Sequence, residues 1–466
     1  METTNNEIKK EIKKEIKKEI KIEIPKKAKY IIKTIMDAGY EAYVVGGCVR
    51  DSILGREPGD WDITTSAKPE QVKELFPRTI DTGIAHGTVT VMVDKEGFEV
   101  TTYRIDGKYE DSRHPKEVTF TPNLVEDLKR RDFTINAMAY NEEEGLVDIF
   151  GGMEDIDRKI IRCVGDAEAR FGEDALRIMR AIRFSAQLGY SIEEETKEAI
   201  RTLAPNLRNI SAERIQVELV KLMVSPHPDT LRVAYELGVT EVILPEFDKA
   251  METEQNHPHH MYNVGEHTLQ GLLHVQPEKI LRLAVLFHDI GKPDTRTTDE
   301  HGIDHFRGHA TVSEEKTKAI LKRLRFDNDT LSYVTRLVRY HDYGNQQEPD
   351  LRIVRRAIHK IGEDIFPLLF AVKKADILSQ STFRREEKLE NLEKWQQLYQ
   401  EIMDKKQCVS LKTLAVTGSD LISIGMKPGK ELGEVLQWLL DQVLENPEYN
   451  RKEWLLSQAE KWSKNI

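Results

Sequence analysis

The hydrophobic pattern of this 466-residue chain changes near Glu154, and this change constrains its fold more than any other feature. Before it, short apolar runs alternate with turn-forming residues, which is typical of strands. After it, apolar residues recur at i, i+3 or i+4 in segments such as ALRIMRAIRFSAQL, AERIQVELVKLM and LGEVLQWLLDQVL, which predicts helices. The pattern therefore predicts an α+β protein with a small mixed-sheet head followed by a long all-α part.

Charge and cysteine content exclude several classes of protein. The 69 Lys+Arg and 80 Asp+Glu give a net charge of −11, so the chain does not coat nucleic acid with positive charge, whereas a local positive groove is not excluded. The three cysteines form no CxxC pair, which argues against a disulfide framework and a thiolate zinc site. No apolar run reaches the roughly 18 residues of a membrane span, and the N-terminus carries charges where a signal peptide would have its apolar stretch. We therefore expect a cytoplasmic protein without a membrane partner.

Residues 1–27 form a charged extension built on the repeat EIKK. Ile8, Ile12, Ile16 and Ile20 recur every four residues, which predicts an apolar stripe along a helix. We interpret this segment as a solvated helix without chemistry of its own, and a partner-binding or RNA-binding arm is the alternative.

A glycine turn followed by paired carboxylates is the sharpest local signal in the head. The segment GGCVRD ends an apolar strand, and Asp60 and Asp62 follow in GDWDITT. Residues two apart on a strand point to one face, so we expect both carboxylates to lie together, as magnesium ligands beside substrate phosphates do. The glycine turn and Arg50 offer N–H donors to those phosphates. A hairpin with its turn at Lys95-Glu96-Gly97 carries Glu99, which joins them if the hairpin lies beside the WDITT strand.

The segment GEDALR, residues 172–177, predicts the start of a helix with Asp174 and Arg177 side by side on its surface. Cytosine and adenine each present an amino donor beside a ring-nitrogen acceptor, whereas guanine and uracil present a carbonyl beside an N–H. A carboxylate that only accepts and a guanidinium that only donates would therefore pair with C and A. The alternative is an intrahelical ion pair without a role in recognition.

The helical part carries an ordered series of histidine and aspartate residues. These side chains supply nitrogen and oxygen ligands for a divalent transition metal. The series consists of His267, His288, Asp289, His309, His341 and Asp376. A scaffold that has lost its metal is the alternative. Proline and histidine cluster around residues 255–260, which predicts a linker.

The head motifs together resemble those of the bacterial class II tRNA nucleotidyltransferases, the CCA-adding enzymes, and their relatives the bacterial poly(A) polymerases. The resemblance covers about residues 28–225 and rests on GGCVRD, GDWDITTSAKPEQV, EVTTYRIDGKYEDSRHPKEV, EDLKRRDFTINA and GEDALRIMRAIRF. The histidine series resembles that of the HD metal-dependent phosphohydrolases. Together they imply a polymerase beta-like nucleotidyltransferase head at 28–153, a helical neck at 154–230, an HD-type helical domain at 231–380 and a helical, tRNA-binding tail at 381–466.

The resemblance also implies a role for each motif residue. Asp60 and Asp62 hold magnesium, with Glu99 as a third catalytic carboxylate. The implied nucleotide-binding residues are Gly47, Arg50, Arg131, Asp132, Asn136, Asp174, Arg177, Arg180 and Arg183. Asp111 and Arg113 belong to a flexible loop that helps switch between nucleotides, and His114 stands where many members have a second Arg. The implied HD ligands are His267, His288, Asp289, His309, His341 and Asp376.

The leading hypothesis is template-independent addition of CCA to the tRNA 3′ end from CTP and ATP by two-metal catalysis, with an additional HD phosphohydrolase activity. The expected partners are tRNA, ATP and CTP, and no DNA. The alternatives are a poly(A) polymerase or a partial enzyme that adds only CC or only A. Two further alternatives are an HD phosphohydrolase whose head is an RNA-binding module, and a non-enzymatic RNA chaperone. The intact paired carboxylates argue against both of these.

Overall fold

The computed structural model describes residues 20–107, 118–345 and 347–464. The chain divides into two compact units, and the boundary lies between Ile243 and Leu244. Within the described ranges, no helix is both long enough and apolar enough to cross a lipid bilayer.

The first unit contains the head sheet and the helices that follow it. Its strands are β1 (Ala42–Val45), β2 (Ile63–Thr65), β3 (Thr79–Gly83), β4 (Thr88–Val93), β5 (Glu96–Thr102), β6 (Arg104–Asp106), β7 (Val118–Phe120), β8 (Met138–Asn141), β9 (Gly145–Asp148), β10 (Ile160–Ile161) and β11 (Ser191–Ile192). Its helices are α1 (Lys26–Asp37), α2 (Gly47–Ile53), α3 (Pro69–Leu75), α4 (Leu124–Lys129), α5 (Gly152–Arg158), α6 (Ala167–Glu173), α7 (Leu176–Leu188), α8 (Glu194–Leu203), α9 (Ala212–Met223), α10 (Leu231–Glu236) and α11 (Val239–Ile243).

The second unit is helical apart from one short strand pair. Its helices are α12 (Pro245–Met251), α13 (Val264–Leu273), α14 (Lys279–Phe287), α15 (Lys292–Thr295), α16 (His309–Arg323), α17 (Asn328–Tyr340), α18 (Leu351–Ile361), α19 (Phe366–Ser379), α20 (Arg385–Asp404), α21 (Gly418–Ser423), α22 (Lys430–Glu445) and α23 (Lys452–Lys464). Its strands are β12 (Thr297–Thr298) and β13 (Asp304–His305). The predicted α+β class, with strands in the head and helices after it, is therefore confirmed.

The head sheet has seven strands in the order β3-β4-β5-β2-β1-β8-β9. Strand β1 runs antiparallel to β2 and β8, and β2 runs parallel to β5 with Ile63 opposite Val100. All residues of β1 and β2 are buried, which explains why these strands read as continuous apolar or β-branched runs. The β2–β5 pair brings the hairpin beside the WDITT strand, which was the condition set for Glu99.

The turn of the hairpin begins one residue earlier than the sequence predicts. Strand β4 ends at Val93 and β5 begins at Glu96, so Glu96 and Gly97 belong to the strand. The two turn residues, Asp94 and Lys95, both have positive φ, at 49° and 71°. Such a two-residue turn matches the right-handed twist of the flanking strands. The predicted hairpin is therefore confirmed, and only the position of its turn, at residues 94–95 and not at residues 95–97, differs from the prediction.

Two further predictions, the N-terminal extension and the linker, differ from the structure in their bounds. Helix α1 begins at Lys26, and Ile22 and Ile24 are buried, so part of the predicted extension is folded against the first unit. Most of the isoleucine stripe, Ile8 to Ile16, lies outside the described residues. The predicted linker at residues 255–260 is wrong, because the unit boundary precedes it and Gln255 is buried in the second unit, where it accepts a hydrogen bond from Lys292 Nζ at 2.7 Å.

Candidate functional site

Three carboxylates of the head are exposed beside the β2–β5 pair. Asp60 and Asp62 precede β2, so the prediction that both lie on a strand is wrong. Glu99 lies in β5, where the register places it one residue before the partner of Ile63. In the described part of the chain, none of these three side chains has a hydrogen-bond or ion-pair partner. The three carboxylates act on one another electrostatically, but they do not form a group whose ligand atoms all lie within 4.8 Å of one another.

The electrostatics of this group favour a cation. Burial and the Asp60 charge raise the pKa of Asp62, although Arg131 opposes this rise. Burial and the charges of Asp62 and Asp60 likewise raise the pKa of Glu99. Oxygen ligands that repel one another fit a hard divalent cation, which removes the repulsion when it binds.

A hydrogen-bonded chain joins four of the predicted nucleotide-binding residues. Arg50, on the helix α2 that Gly47 begins, donates from Nη1 to Asn136 Oδ1 at 2.6 Å. Asn136 Nδ2 donates to Asp132 Oδ1 at 3.2 Å, and Arg180 Nε donates to Asp132 Oδ2 at 2.7 Å. Residues from α2, from the segment RRDFTIN and from α7 thus meet in one network.

Arg131 lies beside both the glycine turn and the carboxylates. Gly46 has a φ of 84°, and a Cβ added to it would lie 3.0 Å from Arg131 Nη1. A side chain at residue 46 is therefore disfavoured both by its backbone conformation and by the close approach of the guanidinium. Arg131 also acts on the pKa of Asp62, which connects the predicted phosphate donors to the predicted metal ligands.

The segment GEDALR does not form one helix, and this prediction is wrong. Helix α6 ends at Glu173 and α7 begins at Leu176, because Asp174 is extended and its Oδ1 accepts a hydrogen bond from Leu176 N at 3.0 Å. Asp174 does not pair with Arg177. It pairs with Arg214 of α9, whose Nη2 lies 2.7 Å from Asp174 Oδ2, while Arg177 Nη1 donates to Glu173 Oε2 at 2.6 Å.

Sequence reasoning missed two charged residues of α9. Arg214 binds Asp174, and Glu218 accepts a hydrogen bond from Arg183 Nε across a buried contact. The signal was their i, i+4 spacing, which places both on one face of α9. Their partners lie 40 and 35 residues earlier in the chain, so the spacing alone did not identify them.

The loop residues Asp111, Arg113 and His114 lie outside the described residues. The prediction that this loop helps switch between nucleotides therefore stays a prediction.

The second unit brings all six predicted HD ligands together. They form two groups, and within each group one ligand atom per residue lies within 4.8 Å of every other. The groups are His267, His288, Asp289 and Asp376, and Asp289, His309 and His341. Among the residues that the structure describes, only these groups of three or more possible ligands meet this criterion.

The hydrogen-bond partners of the four histidines are compatible with the predicted metal ligation. Each Nδ1 faces a backbone carbonyl, at 3.3 Å for His267, 2.6 Å for His288, 2.9 Å for His309 and 2.7 Å for His341. A hydrogen on Nδ1 leaves a lone pair on Nε2. The Nε2 atoms of His267 and His288 nevertheless lie 3.2 Å apart, and those of His309 and His341 lie 3.1 Å apart. Lone pairs at such distances repel unless a proton or a cation lies between them.

Asp289 belongs to both groups through different oxygens. Its Oδ2 lies 3.2 Å from His288 Nε2, and its Oδ1 lies 3.4 Å from His309 Nε2. Although burial alone would lower it, the carboxylates of Asp289 and Asp376 raise the pKa of His288 to about 10. This buried group of side chains therefore attracts positive charge. Its imidazole and carboxylate donors are types that bind divalent transition metals.

Three protein-family models match consecutive parts of the chain. The Poly A polymerase head domain matches residues 42–162, and the probable RNA and SrmB-binding site of polymerase A matches residues 189–251. The model named tRNA nucleotidyltransferase domain 2, putative, matches residues 296–459.

Similar proteins extend over nearly the whole chain. The CCA-adding enzyme of Lactobacillus helveticus is 36% identical over 423 residues, which cover 90% of this chain and 92% of that protein. The CCA-adding enzyme of Levilactobacillus brevis is 37% identical over 437 residues, covering 92% and 96%. The crystal structure of the Bacillus stearothermophilus CCA-adding enzyme in complex with CTP matches with a TM-score of 0.70 and 30% identity, covering 95% of this chain and all of that one.

Proposed function

The chain belongs to the CCA-adding enzyme family, and we propose that Asp60 and Asp62 form the centre at which it adds CCA to tRNA 3′ ends from CTP and ATP. The observation that carries the choice of residues is the group of exposed, unpaired carboxylates beside β2 and β5. Full-length relatives named as CCA-adding enzymes favour this activity over that of a poly(A) polymerase. The chain acts on tRNA in the cytoplasm, where its three free, buried cysteines remain reduced.

Asp60, Asp62 and Glu99 are the residues that would hold a divalent cation, for which we propose magnesium. When bound, the cation would neutralise charge on the triphosphate and lower the pKa of the attacking tRNA hydroxyl. The protein's own contribution is to hold Asp60 and Asp62 just before β2 and Glu99 in the adjacent strand β5, so that nucleotide and tRNA end meet in a fixed geometry.

The arginine network is the proposed grip on the triphosphate. Each guanidinium already pairs with a protein carboxylate, Arg50 with Asp51 and Arg180 with Asp132. These pairs fix the side chains before the nucleotide arrives, which reduces the entropy lost on binding. Phosphate oxygens then accept the remaining N–H donors of these forked side chains.

Asp174 and Arg177 are the proposed base-selecting residues. Arg214 binds both oxygens of Asp174, so the carboxylate is held in one orientation. A fixed acceptor and a fixed donor accept the Watson–Crick edges of C and A and leave those of G and U mispaired, which is costly at a site built to hydrogen-bond.

Asp62→Asn tests the head assignment. We expect incorporation of labelled CTP into a tRNA transcript without CCA to fall on the order of 100-fold or more, because one charged ligand is lost. Asp37→Asn, an equivalent change at an exposed carboxylate in α1, should retain activity. Thermal unfolding verifies that both variants fold.

Full activity of Asp62→Asn would refute this catalytic centre. The RNA products also test the alternatives. Long A tails on an unrelated RNA would identify a poly(A) polymerase, and addition restricted to CC or to A would identify a partial enzyme.

The HD centre supports a second function, metal-dependent hydrolysis of phosphate esters. The observation that favours it is the convergence of four Nε2 atoms whose Nδ1 atoms face backbone carbonyls. A divalent transition metal supplies, when bound, a nucleophile from water at neutral pH and a Lewis acid for a phosphoryl oxygen. The candidate substrates are 2′,3′-cyclic phosphates, 2′-nucleotides and other phosphomonoesters.

His288→Ala tests this centre through metal content. We expect the wild-type protein to retain manganese, cobalt or zinc after gel filtration. The variant should lose most of the metal, because one imidazole ligand is removed from the group of four. His301→Ala removes a histidine that is 80% exposed and serves as the control. Equal metal content in all three proteins would contradict the assignment, independently of any hydrolase assay.

A further inference from the structure

Three guanidiniums that the head resemblance places in the nucleotide site surround one aromatic ring. Phe184, on α7, is 6% exposed. The guanidinium carbon lies 5.0 Å from the ring centroid for Arg50, 5.4 Å for Arg180 and 3.9 Å for Arg183. These arginines come from two helices that are far apart in sequence, so the ring is their common contact.

A ring and a carboxylate can contact different parts of the same guanidinium. A guanidinium forms hydrogen bonds in its plane and stacks on aromatic surfaces with its face. The in-plane partners are Asp51 for Arg50, Asp132 for Arg180 and Glu218 for Arg183. The aromatic contacts therefore add to the ion pairs and do not replace them.

An aromatic side chain at residue 184 offsets the repulsion among the three guanidiniums, which an aliphatic side chain would not do. Three like charges gathered near one point repel one another, and the π-face of a benzene ring attracts each of them through its quadrupole. A leucine would fill much of the same buried volume without that attraction. A second aromatic residue, Phe133, contacts Phe184 edge to face at a centroid distance of 5.8 Å and supports the orientation of the ring.

We propose that Phe184 is a positioning residue that holds Arg50, Arg180 and Arg183 in the arrangement that grips the nucleotide triphosphate. This proposal rests on the nucleotidyltransferase function and on the assignment of these arginines to the triphosphate. Phe184 itself acts through the arginines and needs no contact with the substrate.

The proposal makes a specific statement about which kinetic quantity changes. The triphosphate is common to CTP and ATP, so loss of the ring should weaken the binding of both nucleotides equally. Base choice should not change, because the guanidinium of Arg177 donates hydrogen bonds to Glu173 and to the backbone carbonyls of Arg130 and Arg170, and these three bonds do not involve the ring. Pyrophosphate has phosphates and no base, so its binding should weaken to the same extent.

The test compares Phe184→Leu with Phe184→Tyr, and with Phe184→Trp if the tyrosine hydroxyl prevents folding. We expect KM for CTP and for ATP, and the inhibition constant of pyrophosphate, to rise about tenfold in the leucine variant and about twofold or less in the aromatic variant. The preference for CTP and ATP over UTP and GTP should stay at the wild-type value. Rescue by an aromatic side chain separates positioning by the ring from simple loss of packing.

Phe76→Leu is the matched control. Phe76 is 4% exposed, and it contacts Tyr30 edge to face at 6.2 Å, much as Phe184 contacts Phe133. No arginine or lysine lies over its ring in the described residues. We expect this variant to lose thermal stability as Phe184→Leu does and to keep wild-type KM values.

Three results would overturn the proposal. These are an unchanged KM in Phe184→Leu, an equal rise in the leucine and aromatic variants, or an equal rise in Phe76→Leu. Absence of CTP incorporation by the wild-type protein would instead refute the proposed function, so the two failures are distinguishable.

Discussion

Asp132 shows how a single buried charge can organise the nucleotide site. Burial alone would raise its pKa, yet the Arg180 guanidinium and the Asn136 amide lower it to about 2. The side chain therefore remains ionised at neutral pH although it is buried. Its two oxygens accept hydrogen bonds from Asn136 and Arg180, so one carboxylate fixes a link between the RRDFTIN segment and α7.

We expect the contribution of Asp132 to stability to decrease in acid. Its folded pKa lies below the unfolded value of about 3.9, so the stabilisation is complete above about pH 5 and falls as the pH approaches 2. The shift corresponds to about 2 kcal/mol, of which roughly half is lost at about pH 3. Urea unfolding of the wild-type protein and Asp132→Asn should show a difference in unfolding free energy that narrows between pH 6 and pH 3. A difference that stays constant would show that Asp132 has no depressed pKa.

Residue types at both sites were predictable where a short motif contains them. Asp60 and Asp62 are two residues apart, and His288 and Asp289 are adjacent, so local spacing sufficed to propose them as ligands. Arg214 was not predictable in the same way, because its partner Asp174 is 40 residues away and only the packing of α9 near the start of α7 unites them.

At the scale of elements, the turn after α14 meets the start of α16 at a glycine. A Cβ added to Gly291 would lie 2.5 Å from Ser313 N and 2.7 Å from His309 O. Both are backbone atoms of α16, which begins at the metal-ligand candidate His309. Only a residue without a side chain allows these two elements, and hence the two ligand groups, to approach so closely.

We therefore expect Gly291→Ala to separate α16 from the turn that carries His288 and Asp289. The free energy of unfolding should fall by about 1–3 kcal/mol from overpacking. Metal affinity should fall about tenfold or more, because the ligands are displaced. Denaturant unfolding and metal titration measure the two effects.

Gly433→Ala provides the control, since an added Cβ there meets nothing within 4 Å and the residue lies inside α22. This variant should be slightly more stable, by up to about 1 kcal/mol, through higher helix propensity. Unimpaired metal binding by Gly291→Ala would show that the close approach is not needed for the centre.

Helical elements were largely predictable because periodicity reports which face is buried. The segment AERIQVELVKLM coincides with α9, and LGEVLQWLLDQVL lies within α22. The breaks were less predictable. The interruption before α7 depends on a side-chain hydrogen bond from Asp174 to the backbone, which competes with the helix without altering its apolar pattern.

At the scale of the whole molecule, the net charge of −11 is compatible with an RNA-binding enzyme because the relevant positive charge is local. Arg50, Arg180 and Arg183 each have a carboxylate partner and share one aromatic contact, all within the first unit. We expect acidic residues elsewhere to limit unspecific binding of polyanions, and a folded RNA to be recognised by its shape and its end.

The sequence by itself determined the order of strands and helices along the chain and the residues proposed for the two sites. Periodicity reflects one-sided burial and thus predicted strands followed by helices, and the DxD and His–Asp motifs provided the candidate ligands. The tertiary structure alone decided which residues meet. It set the unit boundary at 243/244, paired Asp174 with Arg214, gathered four Nε2 atoms into one centre and placed Phe184 among three arginines. These contacts join residues that are far apart in sequence, and a local sequence pattern does not indicate which distant residues come into contact.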